Sequence, residues 1–350
     1  MPEPRFLVVR LSSLGDIVHT FPAVAGLRES FPASEIIWLT HPRWKVLVEC
    51  SSLASQVWTT ETRSLAALRA TIRRVRESEF HAAIDYQGLW KSATLPFFGG
   101  VKRRVGFSSS TVREFGVPIL YTDRVHCAAT HIADQNGELS VRAGARKGVA
   151  NYMLRIPSQA EAVSGSPLPA PGFDGYIVLS PGGGWRSKCW PAERFGALCR
   201  MIRNSLDIRC VVNYGPGEEQ LAGRVRDASG DAAPLLYNGD LRSLMILLRN
   251  ARCIVGGDTG PLHLAIALGA PVVALFGPTD PARNGPYRIT DQQDGSTTHP
   301  VEEIAARDIV LRAPHAITTH RRSDQTDPAM LAIQVEEVLD AVHRRIGAPE

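Results

Sequence analysis

Short apolar runs alternate with segments whose apolar residues recur at helical spacing along the first half of the chain. Strands are predicted at 6–9, 36–39, 57–60 and 81–87, and helices at 18–27, 44–49 and 65–79. Strands that alternate with helices are typical of a parallel sheet covered on both faces. The first half therefore predicts one α/β domain.

The alternation resumes after a segment at 157–175 that is rich in proline, serine, alanine and glycine, which is typical of a linker. Strands are predicted beyond it at 176–180, 208–215, 234–238, 253–257 and 271–277, and helices at 191–205, 218–227, 241–250 and 259–268. The pattern fits two doubly wound α/β domains in tandem, with a cleft between them. Ligands of such sheets bind beyond the carboxyl ends of the strands, so chemistry is expected in the loops there.

The composition is that of an ordinary two-domain protein. The chain has 350 residues, too many for one small core, of which 44% are hydrophobic and 21% charged. No apolar run approaches the roughly 18 residues of a membrane-spanning helix. The N-terminal stretch MPEPRFLVVRLSSLGD lacks the layout of a signal peptide. We therefore expect a cytoplasmic protein.

Cysteine and histidine are scattered along the chain. The six cysteines include no CxxC pair, and the ten histidines show no metal-ligand spacing. In a chain of this size such cysteines are expected to be buried, reduced thiols. The sequence therefore predicts neither a disulfide framework nor a metal site.

The net charge of +4 is unevenly distributed. Residues 1–160 contain 20 lysines and arginines against 13 acidic residues, whereas the remainder contains 19 against 22. Basic side chains are predicted near one face of the helix at 65–79 and again at 102–104. This asymmetry indicates that the first half meets something anionic, although a solvated basic face is the simpler reading of any single arginine.

The most informative loop is in the stretch CIVGGDTGPLHLA at 253–265. A buried strand ends in two glycines, and Asp258, Thr259 and Gly260 then open a helix with His263 one turn later. The N–H groups and the positive dipole end of a helix suit a phosphate. An N-cap role explains Asp258 or Thr259 equally well, and one residue can both cap the helix and bind a phosphate.

A second glycine-rich loop lies in LSPGGGWRSKCWP at 179–191. Gly183 and Gly184 precede Lys188, which is a suitable cation for a diphosphate, although a solvated loop lysine would also fit. A further strand ends in NYGPGEEQ, where Glu218 is either a ribose acceptor or an ordinary acid of a first helical turn.

The loop after the first strand, RLSSLGDIVHT at 10–20, contains Asp16 where a strand gives way to a helix. It lacks the G-x-G-x-x-G fingerprint of a dinucleotide site, and the chain has no G-x-x-x-x-G-K-[ST] loop. The missing fingerprint disfavours a nicotinamide-dependent oxidoreductase. From this local pattern alone, an N-cap of a helix that begins at Ile17 is the preferred interpretation of Asp16.

Several motifs in matching order resemble the ADP-heptose lipopolysaccharide heptosyltransferases, which are inverting glycosyltransferases of GT-B fold. The motifs are RLSSLGDIVHT, IDYQGLWKS at 84–92, KCWP at 188–191, GDTGPLHLA at 257–265 and FGPTDP at 276–281. The resemblance implies an acceptor-binding Rossmann-like domain at 1–165, a nucleotide-sugar domain at 172–325 and a C-terminal helix at 326–350, with the two domains facing each other across a cleft.

The resemblance also implies roles for individual residues. Asp16 would be the general base, and Lys188 would contact the donor diphosphate. Glycines stand before Lys188 where some relatives carry hydroxyl residues, so phosphate contacts there would use backbone N–H groups. The implied donor residues are Gly183, Gly184, Glu218, Asp258, Thr259, Gly260 and His263. The implied acceptor residues are Ser12, Ser13, Gln87, Lys91 and Arg113.

The implied reaction moves a heptose from ADP-heptose to the lipopolysaccharide inner core, either to Kdo or to a heptose of a lipid A-linked acceptor. The ADP-sugar is a substrate, and neither a cofactor nor a metal nor a nucleic-acid partner is expected. A lipid-anchored acceptor suggests peripheral contact with the anionic face of the inner membrane. A related enzyme that uses another nucleotide sugar and a non-catalytic nucleotide-sugar binder are the alternatives; the latter would not need Asp16.

Overall fold

The chain forms two compact units, Met1–Arg155 and Ile156–Glu350. The structure is a computed structural model, and it describes residues 3–112, 114–158, 175–288, 308–319 and 322–347. The predicted linker at 157–175, apart from its ends, and the predicted domain boundary between 165 and 172 lie outside the described residues.

The first unit is a parallel six-stranded sheet with helices in the connections. Its strands are β1 Arg5–Val9, β2 Glu35–Thr40, β3 Gln56–Thr59, β4 Ala82–Asp85, β5 Arg104–Phe107 and β6 Asp123–Val125. Its helices are α1 Leu14–Val18, α2 Phe21–Ser30, α3 Lys45–Glu49, α4 Leu65–Arg76, α5 Trp90–Phe98 and α6 Ile132–Ala143, with 3-10 turns at Pro42–Trp44 and Val117–Leu120. The strand order is β3-β2-β1-β4-β5-β6.

This order places a topological switch point between β1 and β4, because the chain leaves these neighbouring strands in opposite directions across the sheet. Apart from Arg5 at the start of β1 and Asp85 at the end of β4, both strands are apolar, and every residue except Arg5 is buried, which fits the interior of a parallel sheet. The loops that follow β1 and β4 therefore lie side by side at the carboxyl edge.

The second unit repeats the arrangement. Its strands are β7 Tyr176–Ser180, β8 Arg209–Asn213, β9 Leu235–Tyr237, β10 Cys253–Gly257, β11 Val272–Phe276 and β12 Asp308–Arg312. Its helices are α7 Ala192–Leu206, α8 Glu219–Ser229, α9 Leu241–Arg249, α10 Gly260–Ala267, α11 Pro281–Asn284, α12 Pro328–Ala332 and α13 Val335–Gly347, with 3-10 turns at Arg186–Lys188 and Gly230–Ala232. The order β12-β11-β10-β7-β8-β9 puts its switch point between β7 and β10.

The C-terminal segment packs into the core of the second unit. Met330 and Ile333, in α12 and just after it, join Val338 and Val342 of α13 in the apolar cluster that covers one face of the sheet. Trp190 lies in the same cluster, and its indole Nε1 donates to the carbonyl of Ile333 at 3.0 Å. The described part of the segment predicted as one C-terminal helix at 326–350 contains two helices, α12 and α13.

The predicted strands and helices are all present, and the differences have local causes. The apolar segment predicted at 18–27 is divided into α1 and α2 at His19–Thr20, with Pro22 near the start of α2. The pattern did not predict α5, α6, α11, β5, β6 or β12, which are short, half-exposed or interrupted by proline or glycine. All six cysteines are free thiols, and four are buried, whereas Cys127 and Cys189 are partly exposed.

Candidate active site

The loop after β1 holds the carboxylate of Asp16 at the edge of the first sheet. Its Oδ2 accepts hydrogen bonds from the backbone N–H of Ser13 at 3.0 Å and from the Ser13 hydroxyl at 2.8 Å. Its Oδ1 lies 2.8 Å from Nη2 of Arg10. A third of the Asp16 side chain is exposed, so it is oriented by its neighbours and still open to solvent.

This geometry corrects the N-cap interpretation of Asp16. The helix begins at Leu14 with Ser13 as the N-cap residue, so Asp16 is the third helical residue. A carboxylate at that position that accepts the N-cap N–H is one half of a capping box. The bond to Arg10 is not part of such a cap.

Arg10 is a buried guanidinium that joins the two loops of this switch point. It is 5% exposed, and its Nη1 donates to the carbonyl of Tyr86, the residue after β4. The sequence analysis did not select it; the available signal was a charged residue directly after the buried run of β1. A buried charge requires partners, so the contact with Asp16 balances the charge of the Arg10 guanidinium. The same contact fixes the position of the Asp16 carboxylate.

Gln87 ties the loop after β4 to the loop that carries Asp16. Its Oε1 accepts the N–H of Leu11 at 2.7 Å, and its Nε2 lies 3.4 Å from the hydroxyl of Ser12. The Gln87 side chain, which is predicted to face the acceptor, therefore also stabilises the loop after β1.

Asp85, at the end of β4, is a second buried group that the sequence analysis missed. Its carboxylate accepts from the N–H of Gln87, the hydroxyl of Ser92 and the phenol of Tyr121 at 2.7–2.9 Å. Burial raises the pKa of Asp85, and these hydrogen bonds oppose that rise. Burial and the neighbouring carboxylate both raise the pKa of Tyr121. The network fixes the start of α5 and the position of Gln87.

In the second unit, Lys188 lies at the switch point between β7 and β10. It is 9% exposed, and its Nζ donates to the carbonyl of Asp258 and lies 3.7 Å from Oδ2 of that residue. The indole of Trp185 is 4.3 Å from Nζ, a cation–π contact. The backbone of Lys188 lies close to Gly257, since a Cβ on Gly257 would be 3.1 Å from the carbonyl oxygen of Lys188.

The start of α10 lies beside this lysine. Thr259 is its N-cap residue, and Asp258 precedes it with Oδ1 2.8 Å from Nε2 of His263. The cap is provided by the conformation of Thr259 alone, since its hydroxyl makes no capping bond. The N–H groups of the first turn therefore point toward the same edge as the Lys188 ammonium.

The glycine-rich loop after β7 is shaped by Glu218. Its Oε2 accepts the N–H of Gly215 at 2.8 Å, and a Cβ on Gly182 would lie 2.2 Å from its Oε1. A Cβ on Gly183 would meet the sulfur of Cys189 at 2.8 Å, whereas one on Gly184 would have no neighbour within 4 Å. Gly184 therefore borders open space on this loop.

Four buried hydroxyls at the carboxyl ends of β7, β10 and β11 have no hydrogen-bond partner among the residues that the structure describes. They belong to Ser180, Ser187, Thr259 and Thr279. Buried hydroxyls are nearly always paired, so an edge that collects several is suited to a polar ligand. Of the four, the sequence analysis had selected only Thr259.

The predicted site residues thus form two groups, one in each unit. Ser12, Ser13, Asp16 and Gln87 meet at the β1–β4 switch point, and Lys91 is an exposed residue of α5. Around the β7–β10 switch point lie Gly183, Gly184, Lys188, Glu218, Asp258, Thr259, Gly260 and His263. Arg113 lies outside the described residues.

A tandem pair of Rossmann-like units, each with a parallel six-stranded sheet, is the architecture of the GT-B fold. The model of glycosyltransferase family 9 (heptosyltransferase) matches residues 68–310. The chain therefore belongs to glycosyltransferase family 9.

Curated relatives agree with this assignment, and solved structures agree with the fold. Lipopolysaccharide heptosyltransferase 1 of Pseudomonas aeruginosa is 30% identical over an alignment of 310 residues that covers 83% of this chain and 84% of that one. The Escherichia coli K12 enzyme of the same name is 29% identical, over 81% and 91% of the two chains. E. coli heptosyltransferase WaaC with ADP has a TM-score of 0.76 at 23% identity, over 97% and 99%. E. coli heptosyltransferase II has a TM-score of 0.74 at 18% identity, over 98% of each chain.

Proposed function

We propose that the protein transfers a heptose from ADP-heptose to the inner core of lipopolysaccharide, with inversion at the anomeric carbon. The curated relatives named lipopolysaccharide heptosyltransferase 1 support the sugar and the class of acceptor. The observation that carries the proposal is at the carboxyl edge of the second sheet, where the Lys188 ammonium and the N-terminus of α10 both lie beside Asp258.

This edge is suited to the diphosphate of the donor. Lys188 offers an ammonium, α10 offers its N-terminal N–H groups, and Thr259 offers a hydroxyl. Solved relatives of the same fold were obtained with ADP and with ADP-2-deoxy-2-fluoro heptose. We assign Glu218 to the ribose, since its carboxylate borders the glycine-rich loop after β7.

The reaction needs a base for the acceptor hydroxyl and a counter-charge for the leaving group. Asp16 takes the proton of that hydroxyl, and the oxygen attacks the anomeric carbon on the face opposite the diphosphate. The bond from the anomeric carbon to the diphosphate oxygen breaks, and ADP leaves with the electron pair. Lys188 and the helix dipole stabilise the charge that develops on the phosphates. Arg10 and Ser13 orient the Asp16 carboxylate.

If the acceptor is linked to a lipid, the enzyme acts at a membrane surface. In the part of the chain that the structure describes, no helix combines the length and apolar character needed to span a bilayer. On α4 the side chains of Arg69, Arg73, Arg74 and Arg76 are exposed, while Thr71 and Val75 face the core. We propose peripheral attraction of this basic face to anionic lipid. We also propose that Ser12, Ser13, Gln87, Lys91 and Arg113 bind the acceptor.

We further propose that the transfer needs neither a divalent metal nor a cofactor, because the cations that offset the leaving charge are protein groups. Within the described ranges, no group of three or more His, Cys, Asp or Glu side chains is arranged to hold an ion. Treatment with excess EDTA is expected to leave the transfer rate within about twofold of the untreated rate, since the Lys188 ammonium remains in place. Strict dependence on added magnesium would refute this part of the proposal.

The donor is tested by thermal unfolding with candidate nucleotides. At 100-fold excess over its dissociation constant, ADP should stabilise the native state by about 2.7 kcal/mol, a shift of several degrees in Tm. UDP and NAD at the same concentration should give smaller shifts. A larger shift with UDP would indicate a family member that uses another nucleotide sugar.

A further inference from the structure

The first unit exposes an unusual number of large apolar side chains in one region. Trp90, Phe97 and Phe98 of α5 are 43%, 39% and 53% exposed, and Phe115 and Ile119 near the Val117–Leu120 turn are 99% and 69% exposed. These five side chains form the aromatic patch. Single exposed apolar residues are common, whereas a cluster that includes three phenylalanines and a tryptophan marks an interaction surface.

Contacts link side chains of the patch in two groups, one around Trp90 and one at Phe97 and Phe98. Nε1 of Trp90 donates to the carbonyl of Phe115 at 3.2 Å, and a Cβ on Gly116 would lie 3.1 Å from the Trp90 ring. The rings of Phe97 and Phe98 meet edge to face at 5.2 Å.

Arg104 contacts Phe97 and the residue that follows Ile119. Its guanidinium lies 5.3 Å from the Phe97 ring centroid, and its Nε donates to the carbonyl of Leu120 at 2.7 Å.

The patch is held in place by a small core beneath it. Ala93 of α5 packs there with Val117, Leu120 and Tyr121, all of which are buried. Tyr121 in turn is bonded to the buried Asp85 carboxylate. The exposed rings therefore project from a fixed base, and their exposure is a property of the fold.

The surroundings of the patch are basic. Between residues 90 and 124 the sequence has six lysines and arginines against two acidic residues, Glu114 and Asp123. Both acids are engaged within the unit: Glu114 accepts the N–H of Trp90 at 2.7 Å, and Asp123 lies 2.6 Å from Nη2 of Arg142.

The basic face of α4 lies next to the aromatic patch. Nη2 of Arg76, at the end of that helix, donates to the carbonyl of Phe98 at 2.8 Å. The apolar side chains of the patch thus adjoin a further set of cations.

We propose that the aromatic patch is a bilayer-insertion surface, which enters the interfacial region of an anionic membrane while the surrounding cations contact lipid phosphates. Tryptophan and phenylalanine beside lysine and arginine are the combination that binds such interfaces. The inference deepens the proposed function and rests on it, because a lipid-linked acceptor gives the enzyme a reason to bind a membrane. The occupant is the anionic bilayer; a protein surface would have to complement both the rings and the predominantly positive charge around them.

Flotation with lipid vesicles tests the surface on the full chain. The native protein should bind vesicles of equal parts phosphatidylglycerol and phosphatidylcholine, and should bind pure phosphatidylcholine much less. Phe115→Ser should raise the lipid concentration for half-maximal binding about tenfold, and Ile119→Ser several-fold, since each removes an inserted side chain. Raising the salt concentration should weaken the binding that remains.

Ile317→Ser is the matched control for Ile119→Ser. Ile317 is 80% exposed in the second unit, so the same change at similar exposure should leave vesicle binding unchanged. Equal binding by Ile119→Ser, Phe115→Ser and the native chain would overturn the proposal. So would a native dimer that Phe115→Ser dissociates while vesicle binding is retained, because the patch would then be a contact between copies of the chain.

Activity separates this inference from the proposed function. Phe115→Ser should retain transfer to a deacylated, lipid-free acceptor and lose most transfer to the same saccharide in vesicles. If the native chain bound anionic vesicles through the patch but transferred heptose to neither acceptor, the proposed function would fail and the insertion surface would stand.

Discussion

Replacing Asp16 by asparagine is expected to lower kcat by about 10²–10⁴-fold, the range that a positioned general base contributes. Asparagine has nearly the same shape and can still accept the Ser13 N–H, but it cannot take a proton from an acceptor hydroxyl. Donor affinity should stay within a few-fold, because the donor groups that we assign belong to the second unit. The measurements are initial rates with ADP-heptose and a titration of ADP.

Asp16→Glu serves as the companion variant, since it restores a carboxylate that is displaced by one methylene. It should recover part of the rate that Asp16→Asn loses. A parallel loss of ADP affinity in Asp16→Asn would assign Asp16 to donor binding. Asp16→Asn should also lose some thermal stability, because the buried guanidinium of Arg10 loses its counter-charge, although the amide oxygen of asparagine can still accept a hydrogen bond from it.

Local sequence pattern predicted the position of Asp16 but not its surroundings. The run RLSSLGD marks a strand end and a helix start, and both are present. The N-cap alternative was wrong because Ser13 already caps the helix, which begins three residues before Ile17. Nothing in that run indicates that Arg10 would reach Asp16 or that Gln87 would bind Leu11, since those contacts depend on strands β1 and β4 being neighbours.

The same limit applies to the fold. Long apolar strands such as β7 and β10 are buried on both faces, and their composition alone predicts them. The edge strands β6 and β12 have half-exposed residues, so their pattern is close to that of a loop. Helix α5 contains Pro96, and its apolar residues lie on an exposed face as well as a buried one, which removes the usual periodicity.

The second large effect is expected at Lys188. The ammonium lies 3.7 Å from Oδ2 of Asp258, and both side chains are at least nine-tenths buried. Removing the lysine therefore has two consequences at the same edge. The diphosphate loses its cation, and the Asp258 carboxylate, which is otherwise balanced by Lys188, repels the negative charge of the donor.

Lys188→Met, which keeps the length of the side chain without its charge, should reduce kcat/KM about 10²–10³-fold, as the loss of one stabilising group at a developing anion does. It should also weaken ADP binding, so that the ADP-dependent rise in Tm nearly disappears. Lys188→Arg keeps the charge in a different geometry and should retain an intermediate rate. Rates and thermal shifts of the three proteins provide the comparison.

Arg186→Met is the matched control, because Arg186 is an exposed cation in the same 3-10 turn, Arg186–Lys188. Its rate and its ADP-dependent shift should remain within about twofold of the native values, since an exposed charge is screened by solvent. A Lys188 that only holds the fold together would behave differently: its removal would lower the Tm of the unliganded protein and leave the ADP-dependent shift unchanged. The shift therefore separates a donor contact from a structural ion pair, and equal shifts for Lys188→Met and Arg186→Met would exclude the donor contact.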